Sequence, residues 1–339
     1  MNYKYIFTSL TRISDLSMNP FQIEKITTNH WQTGDYVVGQ ITDPGSNKLS
    51  IELPNGRMRG IIGNEYLIGA LGERYATLEA TGNWSAIKKD LKMHVLTGAG
   101  LFGKLTSKSA FIPQMIEIKY VGHTVRKHKK ITMDQFVSYS EPIPFKTPVV
   151  LFTGTSMSAG KTTSARIVTN LFKSAGLKVV GAKLTGAGRY KDILAMKDVG
   201  ADMVMDFVDV GLPSSIYVQN GYKKRLKELL NRIEKQKADV AVIEIGASPL
   251  EPYNGDTAIE EIRSQIKCII LSASDPYAVF GLMKAFNIVP DIVTGVATNT
   301  LAGRDMVETL CKVKPLNLID ASTTEELKQI LTAKMGFPL

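Results

Sequence analysis

The sequence predicts two domains: a smaller β-rich domain, and then an α/β domain whose parallel sheet is covered by helices on both faces. Residues 1–145 contain short segments in which apolar and polar residues alternate, with turn sequences between them. Residues 146–339 instead contain continuous apolar segments that alternate with amphipathic ones. The first pattern is typical of strands buried on one face, and the second of parallel strands buried on both. At 339 residues the chain is long enough for a core in each domain.

The β-rich domain is expected to be a small antiparallel barrel or sandwich. Strands are predicted where alternating segments are bounded by turn residues: 35–41, 48–53, 57–62, 74–81 and 114–121. The glycine-rich segment 94–109 has two interpretations, a functional loop or ordinary turns.

The domain boundary is predicted within 140–150, "SEPIPFKTPVV", because three prolines interrupt any helix or central strand there. After it, strands are predicted at the apolar segments 148–153, 177–182, 238–245, 267–273, 291–298 and 314–319. Helices are predicted between them, among others at 161–176, 222–236 and 322–335. Ligands of such sheets bind at the carboxyl ends of the strands. Functional residues are therefore expected directly after each strand.

The composition indicates a cytoplasmic protein. Charged residues make up 22% and hydrophobic residues 44%, and no apolar run approaches the ~20 residues of a membrane span. The first residues lack the features of a signal peptide. Cys268 and Cys311 both lie in apolar segments, which favours two buried thiols over a disulfide framework. The four histidines have no metal-ligand spacing.

The net charge of +9 bears on partners, and its larger share falls in residues 1–147. The densest basic cluster is "RKHKK" at 126–130. A nucleic-acid surface is the less favoured interpretation, since the interleaved aromatic residues of a single-strand binder are missing. A small anionic metabolite would be attracted by the same charge.

Residues 150–163, "VLFTGTSMSAGKTT", resemble a phosphate-binding P-loop. The second glycine, Gly160, lies six positions after Gly154, whereas the usual pattern has five. A predicted strand precedes the loop and a predicted helix follows it, so that backbone N–H groups and the positive helix end would face phosphate oxygens. Lys161 is expected to reach the β- and γ-phosphates, and the Thr162 hydroxyl to bind Mg²⁺. The residues expected around the nucleotide are Gly154, Thr155, Ser156, Met157, Ser158, Ala159, Gly160, Lys161, Thr162 and Thr163.

The longer loop is similar to that of two groups within the SIMIBI class of P-loop NTPases. Partitioning and cargo ATPases carry a signature lysine at the position of Ser156, so the serine argues against them. Dethiobiotin synthetases have a "GT-x-x-x-x-GKT" loop, which resembles "GTSMSAGKT". This second resemblance covers roughly residues 148–335, whereas the β-rich domain has no counterpart in that family.

The resemblance implies roles for residues after the second predicted strand. Lys183 stands where dethiobiotin synthetases have a lysine that contacts the substrate and the γ-phosphate. A second ammonium facing Lys161 would stabilise charge on a transferring phosphoryl group. Asp192, in "YKDILAM", matches a magnesium-binding aspartate, while Asp198 and Asp202 are alternatives for that role.

Two further residues complete the predicted site. Glu244 lies among apolar residues at the end of a strand, and such a carboxylate needs a cation; Mg²⁺ beside Thr162 would serve. The family has "V-E-G-x-G" here, whereas this chain has "IEIGAS", with Ile245 in place of the first glycine. The resemblance also implies that Asn299 reads the adenine edge, and its amide can both accept and donate there.

The sequence thus predicts an ATP- and Mg²⁺-dependent enzyme that phosphorylates a carboxylate or carbamate of a small anionic metabolite, as a ligase or cyclo-ligase does. The β-rich domain would bind or cover the substrate, and a homodimer is expected. One alternative is a P-loop ATPase switch whose basic first domain binds nucleic acid or a protein. Another is an N-acyltransferase of the two-domain P-loop type.

Overall fold

The structure is a computed structural model that describes residues 4–45 and 50–339. The chain divides into two compact units. The β-rich unit consists of three segments: Met1–Tyr139, Ala187–Lys191 and Phe207–Ile216. The α/β unit contains Ser140–Gly186, Asp192–Asp206 and Tyr217–Leu339. Two short segments from the second half of the sequence therefore fold with the first unit.

The β-rich unit is built from short strands. Their bounds are β1 Tyr5–Phe7, β2 Gln22–Glu24, β3 Tyr36–Asp43, β4 Ser50–Glu52, β5 Met58–Gly60, β6 Tyr66–Leu71, β7 Glu73–Tyr75, β8 Ala80–Asn83, β9 Lys92–Thr97, β10 Leu101–Lys108, β11 Glu117–Arg126 and β12 Lys129–Lys130. The strands β6, β3, β11, β9 and β10 pair in that order, and β10 pairs back with β6. The pairing of β10 with β6 is parallel, while the other four pairings are antiparallel. These strands form a closed barrel, which confirms the predicted β-rich class and leaves none of the five with an open edge.

Three predicted segments of this unit differ from the structure, are resolved by it or lie partly outside it. Segment 74–81 is not one strand but the hairpin of β7 and β8, in which the Glu79 N–H donates to the Ala76 carbonyl at 3.0 Å. The glycine-rich segment 94–109 supplies β9, β10 and the turn between them, as the turn interpretation expects. The beginning of the predicted strand 48–53 lies outside the described residues.

The α/β unit alternates strands and helices. Its strands are β13 Val149–Gly154, β14 Val179–Thr185, β15 Met203–Asp206, β16 Val240–Ile245, β17 Ile266–Ser272, β18 Ile292–Thr294 and β19 Lys314–Pro315. Its helices are α1 Lys161–Ser174, α2 Tyr190–Lys197, α3 Gln219–Glu234, α4 Gly255–Ile262, α5 Pro276–Phe286, α6 Leu301–Cys311 and α7 Thr324–Met335, of which α2 begins in the β-rich unit.

These strands form one parallel sheet in the order β15-β14-β16-β13-β17-β18-β19. Every residue of β13, β14 and β16 is buried, as expected for strands covered on both faces. The predicted parallel α/β fold is therefore confirmed. The predicted strand 314–319 is shorter than expected, because a turn lies at 318–319, where the Leu318 N–H donates to the Thr294 hydroxyl.

The two cysteines were predicted to be buried thiols. Cys268 and Cys311 are both buried as free thiols. Burial, together with the nearby Asp291 carboxylate, raises the pKa of Cys268 to about 12.

Within residues 4–45 and 50–339, no helix has the length and apolar character needed to cross a bilayer.

Candidate functional site

The loop that joins β13 to α1 lies at the carboxyl end of the central strand. A Cβ atom on Gly154 would lie 2.9 Å from the Ser272 carbonyl oxygen and 3.0 Å from the Lys161 side chain, so a larger residue does not fit. Gly160 caps α1 with a φ of 104°, a left-handed conformation that favours glycine. Gly154 is therefore required by the lack of space for a side chain, and Gly160 is favoured by its left-handed backbone. The loop is followed directly by the N-terminus of α1.

Lys161 lies almost completely buried within this loop. Its ammonium donates to the Ser156 carbonyl at 2.6 Å and is 3.4 Å from the Met157 carbonyl oxygen. Burial lowers the pKa of Lys161, and the Lys183 ammonium acts in the same direction, while Glu244 opposes them. The ammonium is therefore a desolvated cation held by loop carbonyls at the helix N-terminus.

Charged residues of three neighbouring strands lie at one level of the sheet. In the strand register, Glu244 of β16 is opposite Lys183 of β14, and Lys183 is opposite Asp206 of β15. All three side chains are buried. The sequence prediction included Lys183 and Glu244 but missed Asp206. The available signal was the same as for Glu244, a carboxylate that ends an apolar strand.

Glu244 and Thr162 are the paired oxygen groups of the site. The Thr162 hydroxyl donates to Glu244 Oε2 at 2.9 Å. Burial raises the pKa of Glu244 and Asp192 acts with it, whereas Lys183 and Lys161 lower it. Hydroxyl and carboxylate oxygens fit Mg²⁺, which proteins often bind with only one or two carboxylates and the phosphates of a substrate. In the described part of the chain, no group of three or more His, Cys, Asp or Glu residues could hold a metal ion by itself.

Lys183 is held by α2. Its ammonium forms an ion pair with Asp192, in the first turn of that helix. Burial works to lower the pKa of Lys183, but the carboxylates of Asp192, Glu244 and Asp206 outweigh it, and the net pKa is raised. The stem of Lys183 passes over Gly246, where a Cβ would lie 2.4 Å from Lys183 Cε. The glycine that follows Ile245 therefore makes room for the lysine.

The two alternatives to Asp192 lie elsewhere. The Asp202 carboxylate accepts from the Val179 N–H at 2.7 Å and from the Lys173 ammonium at 2.8 Å, and Val179 begins β14 at the opposite edge of the sheet. Asp198 is exposed just after the end of α2. Of the three aspartates, the structure brings Asp192 to the charged cluster.

Asn299 is exposed and lies beside the loop. It lines a cavity of about 160 Å³ together with Ser158, Gly160, Thr163, Gly295 and Leu318. Gly295 has a φ of 87°, and a Cβ there would lie 2.4 Å from the Ala159 carbonyl oxygen, so this turn passes close to the phosphate loop. Asn317 and Ile319, predicted as strand residues, also line the cavity.

The parallel sheet, the glycine loop after its central strand and the helix that follows define the class of this unit, the P-loop NTPase fold. No protein-family model matches the chain, and no curated protein sequence matches it at a significant level. The more specific resemblance to dethiobiotin synthetase stays a prediction.

Solved structures give only distant likenesses. Chloroplast FtsY from Physcomitrella patens is 17% identical with a TM-score of 0.38, and the match covers 52% of this chain and 59% of that one. The signal recognition particle receptor FtsY from Elizabethkingia anophelis is 16% identical with a TM-score of 0.38, over 56% and 68%. The signal recognition particle 54 kDa protein from Aeropyrum pernix K1, in complex with GDP, is 17% identical with a TM-score of 0.35, over 51% and 41%.

Proposed function

We propose that the chain binds a purine nucleoside triphosphate with Mg²⁺ and transfers its γ-phosphoryl group. The observation that carries the proposal is the meeting of two buried ammonium groups, Lys161 and Lys183, with the Glu244–Thr162 pair at one edge of the sheet. Phosphoryl transfer needs positioning and charge stabilisation more than covalent chemistry. Lys161 would bind the β- and γ-phosphates and Lys183 the γ-phosphate, while Thr162, Glu244 and Asp192 would hold Mg²⁺.

We propose ATP as the nucleotide. The lining of the cavity beside the loop includes an exposed residue with a carboxamide, Asn299. A carboxamide can accept a hydrogen bond from the adenine amino group and donate one to a ring nitrogen. The same amide could also pair with groups of guanine, so ATP and GTP belong together in the first binding experiment.

The acceptor in this proposal is a small anionic metabolite with a carboxylate or carbamate. An oxygen of that group would attack the γ-phosphorus and ADP would leave. An amine or second nucleophile would then displace phosphate from the acyl phosphate. By itself, the β-rich unit has a cleft of about 750 Å³ whose lining includes Lys4, Arg57 and Arg59, and these cationic side chains attract anions. Glu65 also lines this cleft, and its carboxylate accepts a hydrogen bond from the Arg59 guanidinium at 2.6 Å.

The test is equilibrium binding of fluorescent ATP and GTP analogues with and without Mg²⁺, followed by turnover with a metabolite pool. We expect Mg²⁺-dependent binding of ATP that Lys161→Ala weakens at least tenfold, and turnover that rises when the acceptor is added. Unchanged nucleotide affinity in Lys161→Ala would refute the proposal. Production of an acylated amine from an acyl thioester, independent of ATP, would instead support the N-acyltransferase alternative.

A nucleotide switch is the second candidate, and one observation favours it. Residues 187–191 and 207–216 follow β14 and β15 of the α/β unit in sequence, yet belong to the β-rich unit. A nucleotide-dependent change after those strands would therefore reach the β-rich unit along the chain. A switch that binds nucleic acid should gain ATPase activity with DNA or RNA and lose binding steeply as salt rises. A metabolite-specific enzyme should show neither response.

A further inference from the structure

Glu52, the last residue of β4, is a buried carboxylate with an unusual set of partners. Its Oε2 accepts from the Tyr190 N–H at 2.8 Å and its Oε1 accepts from the Lys191 N–H at 2.8 Å. The Ser9 hydroxyl also donates to Oε2, and only 1% of Glu52 is exposed. Burying a carboxylate is costly unless donors compensate it, and backbone N–H groups at a helix start are strong donors to a carboxylate.

The two amides belong to the first turn of α2, where backbone N–H groups have no partner within the helix. A carboxylate there also interacts favourably with the helix dipole. The preceding residues are held as well, since the Gly188 N–H donates to the Pro213 carbonyl at 3.0 Å and the Thr97 hydroxyl donates to the Gly188 carbonyl at 3.1 Å. The start of α2 is therefore fixed within the β-rich unit.

The residue that follows in α2 is Asp192, which forms the ion pair with Lys183. A helical residue lies only about 1.5 Å further along the axis than the one before it. A shift of the Tyr190 and Lys191 amides must therefore displace the Asp192 carboxylate as well. We propose that Glu52 is a positioning residue: it fixes the first turn of α2, and through Asp192 it orients the Lys183 ammonium for phosphoryl transfer.

This inference rests on the proposed function. It predicts that substitution of Glu52 affects nucleotide binding and the rate of turnover differently. Lys161 and the loop lie outside α2, so the affinity for nucleotide in the absence of Mg²⁺ should be retained. The Lys183 ammonium would lose its fixed orientation, and interactions that strengthen only in the transition state would suffer.

The main experiment compares Glu52→Gln with the matched control Asp43→Asn. Asp43 is also the last residue of a strand in the β-rich unit and also accepts from a backbone N–H, that of Gly45 at 2.8 Å, but its partners Gly45 and Gln114 lie outside α2. We expect Glu52→Gln to lower the kcat of ATP turnover about tenfold, with the Kd for nucleotide in the absence of Mg²⁺ changed less than twofold. Asp43→Asn should change both less than twofold. Equal effects of the two variants would overturn the inference.

A double-mutant cycle separates positioning from general loss of stability. If Glu52 acts through Lys183, adding Glu52→Gln to Lys183→Ala should lower kcat by no more than a further factor of two. A full additional tenfold loss would show that Glu52 acts independently and would overturn the inference. If Glu52→Gln does not fold, Glu52→Asp, which keeps the charge at shorter reach, replaces it in both measurements.

Hydrogen exchange distinguishes failure of this inference from failure of the proposed function. In the protein without nucleotide, Asp192→Asn should speed exchange of the Tyr190 and Lys191 amides at least fivefold if the helix start and the ion pair form one unit. Unchanged exchange would overturn the link. If the link is present but the wild type neither binds nor turns over ATP, then the proposed function fails while the structural coupling stands.

Discussion

Each of the two units contains a cluster of ionisable side chains, most of them buried, and the two clusters differ in what surrounds them. In the β-rich unit, His123 contacts Asp35 Oδ2 at 3.1 Å and the Tyr120 hydroxyl at 2.6 Å, and the Lys130 ammonium donates to Asp35 at 2.7 Å. These groups lie in and beside the barrel strands, with the Trp31 ring 5.3 Å from the imidazole. In the α/β unit the charges instead lie at strand ends, beside a glycine loop and a helix N-terminus.

The difference shows that burial of charge does not by itself identify a functional site. The Asp35 cluster joins strands of a closed barrel, and its members bond to one another. The cluster of Lys161, Lys183 and Glu244 carries two ammonium groups beside the N-terminus of α1, and helix N-termini favour anions. We therefore propose a stabilising role for the first cluster and a chemical role for the second.

The largest expected effect concerns stability. Asp35→Ala leaves Lys130 and His123 without their carboxylate, and breaking a buried charged pair typically costs about 3–5 kcal/mol. Chemical denaturation followed by Trp fluorescence should show this loss, whereas Asp90→Ala, which removes a carboxylate 3.8 Å from Lys104 at the surface, should cost less than about 1 kcal/mol. Similar costs for the two variants would contradict a stabilising role for the Asp35 cluster.

The corresponding substitution in the α/β unit should lower the rate of ATP turnover. Lys183→Ala should reduce ATP turnover about 100-fold, which corresponds to about 2.7 kcal/mol, while nucleotide Kd changes less than threefold. Single-turnover kinetics and equilibrium binding measure the two quantities. Equal losses in both would remove Lys183 from the transition state and make it a binding residue only.

A buried ionisable group outside both clusters serves as a reference for pH dependence. Cys268 has a pKa of about 12 in the folded chain, against 9.0 for an unperturbed thiol. Because the folded pKa is the higher one, the free energy of unfolding should be unaffected by this group below about pH 9 and fall between pH 9 and 12. The loss should be about 1.4 kcal/mol at pH 10. Cys268→Ala should lessen that fall, and an unchanged pH profile would contradict the assignment.

The smallest expected effect concerns recognition of the base. Asn299→Ala should weaken ATP binding about fivefold, since a hydrogen bond contributes roughly 1 kcal/mol. The exposed Asn220 of α3 provides a control, and Asn220→Ala should leave affinity unchanged. A reduced preference of Asn299→Ala between ATP and GTP would sharpen the proposal, and identical binding of both nucleotides to wild type and variant would remove Asn299 from the site.

The parts of the site that sequence could predict are those with local causes. The strand, glycine loop and helix at 149–174 form one continuous segment, so Lys161 and Thr162 follow from spacing. Glu244 could be predicted because a lone carboxylate at the end of an apolar strand has few structural explanations.

The remaining features depend on contacts between distant residues. Barrel closure pairs Leu101 with Ala70 in a parallel register that no turn sequence encodes. The link from Glu52 to Tyr190 joins residues 138 positions apart. Neither strand alternation nor a motif predicts such contacts, because each depends on where separate segments meet.

The three-segment composition of the β-rich unit has a consequence for its biosynthesis. Its last segment ends at Ile216, although its first ends at Tyr139. At about 5–20 residues per second, a ribosome needs roughly 4–15 s to add the residues in between. During that interval the Glu52 carboxylate has no Tyr190 amide to bind, so the β-rich unit is complete only after its last segment, Phe207–Ile216, has been added.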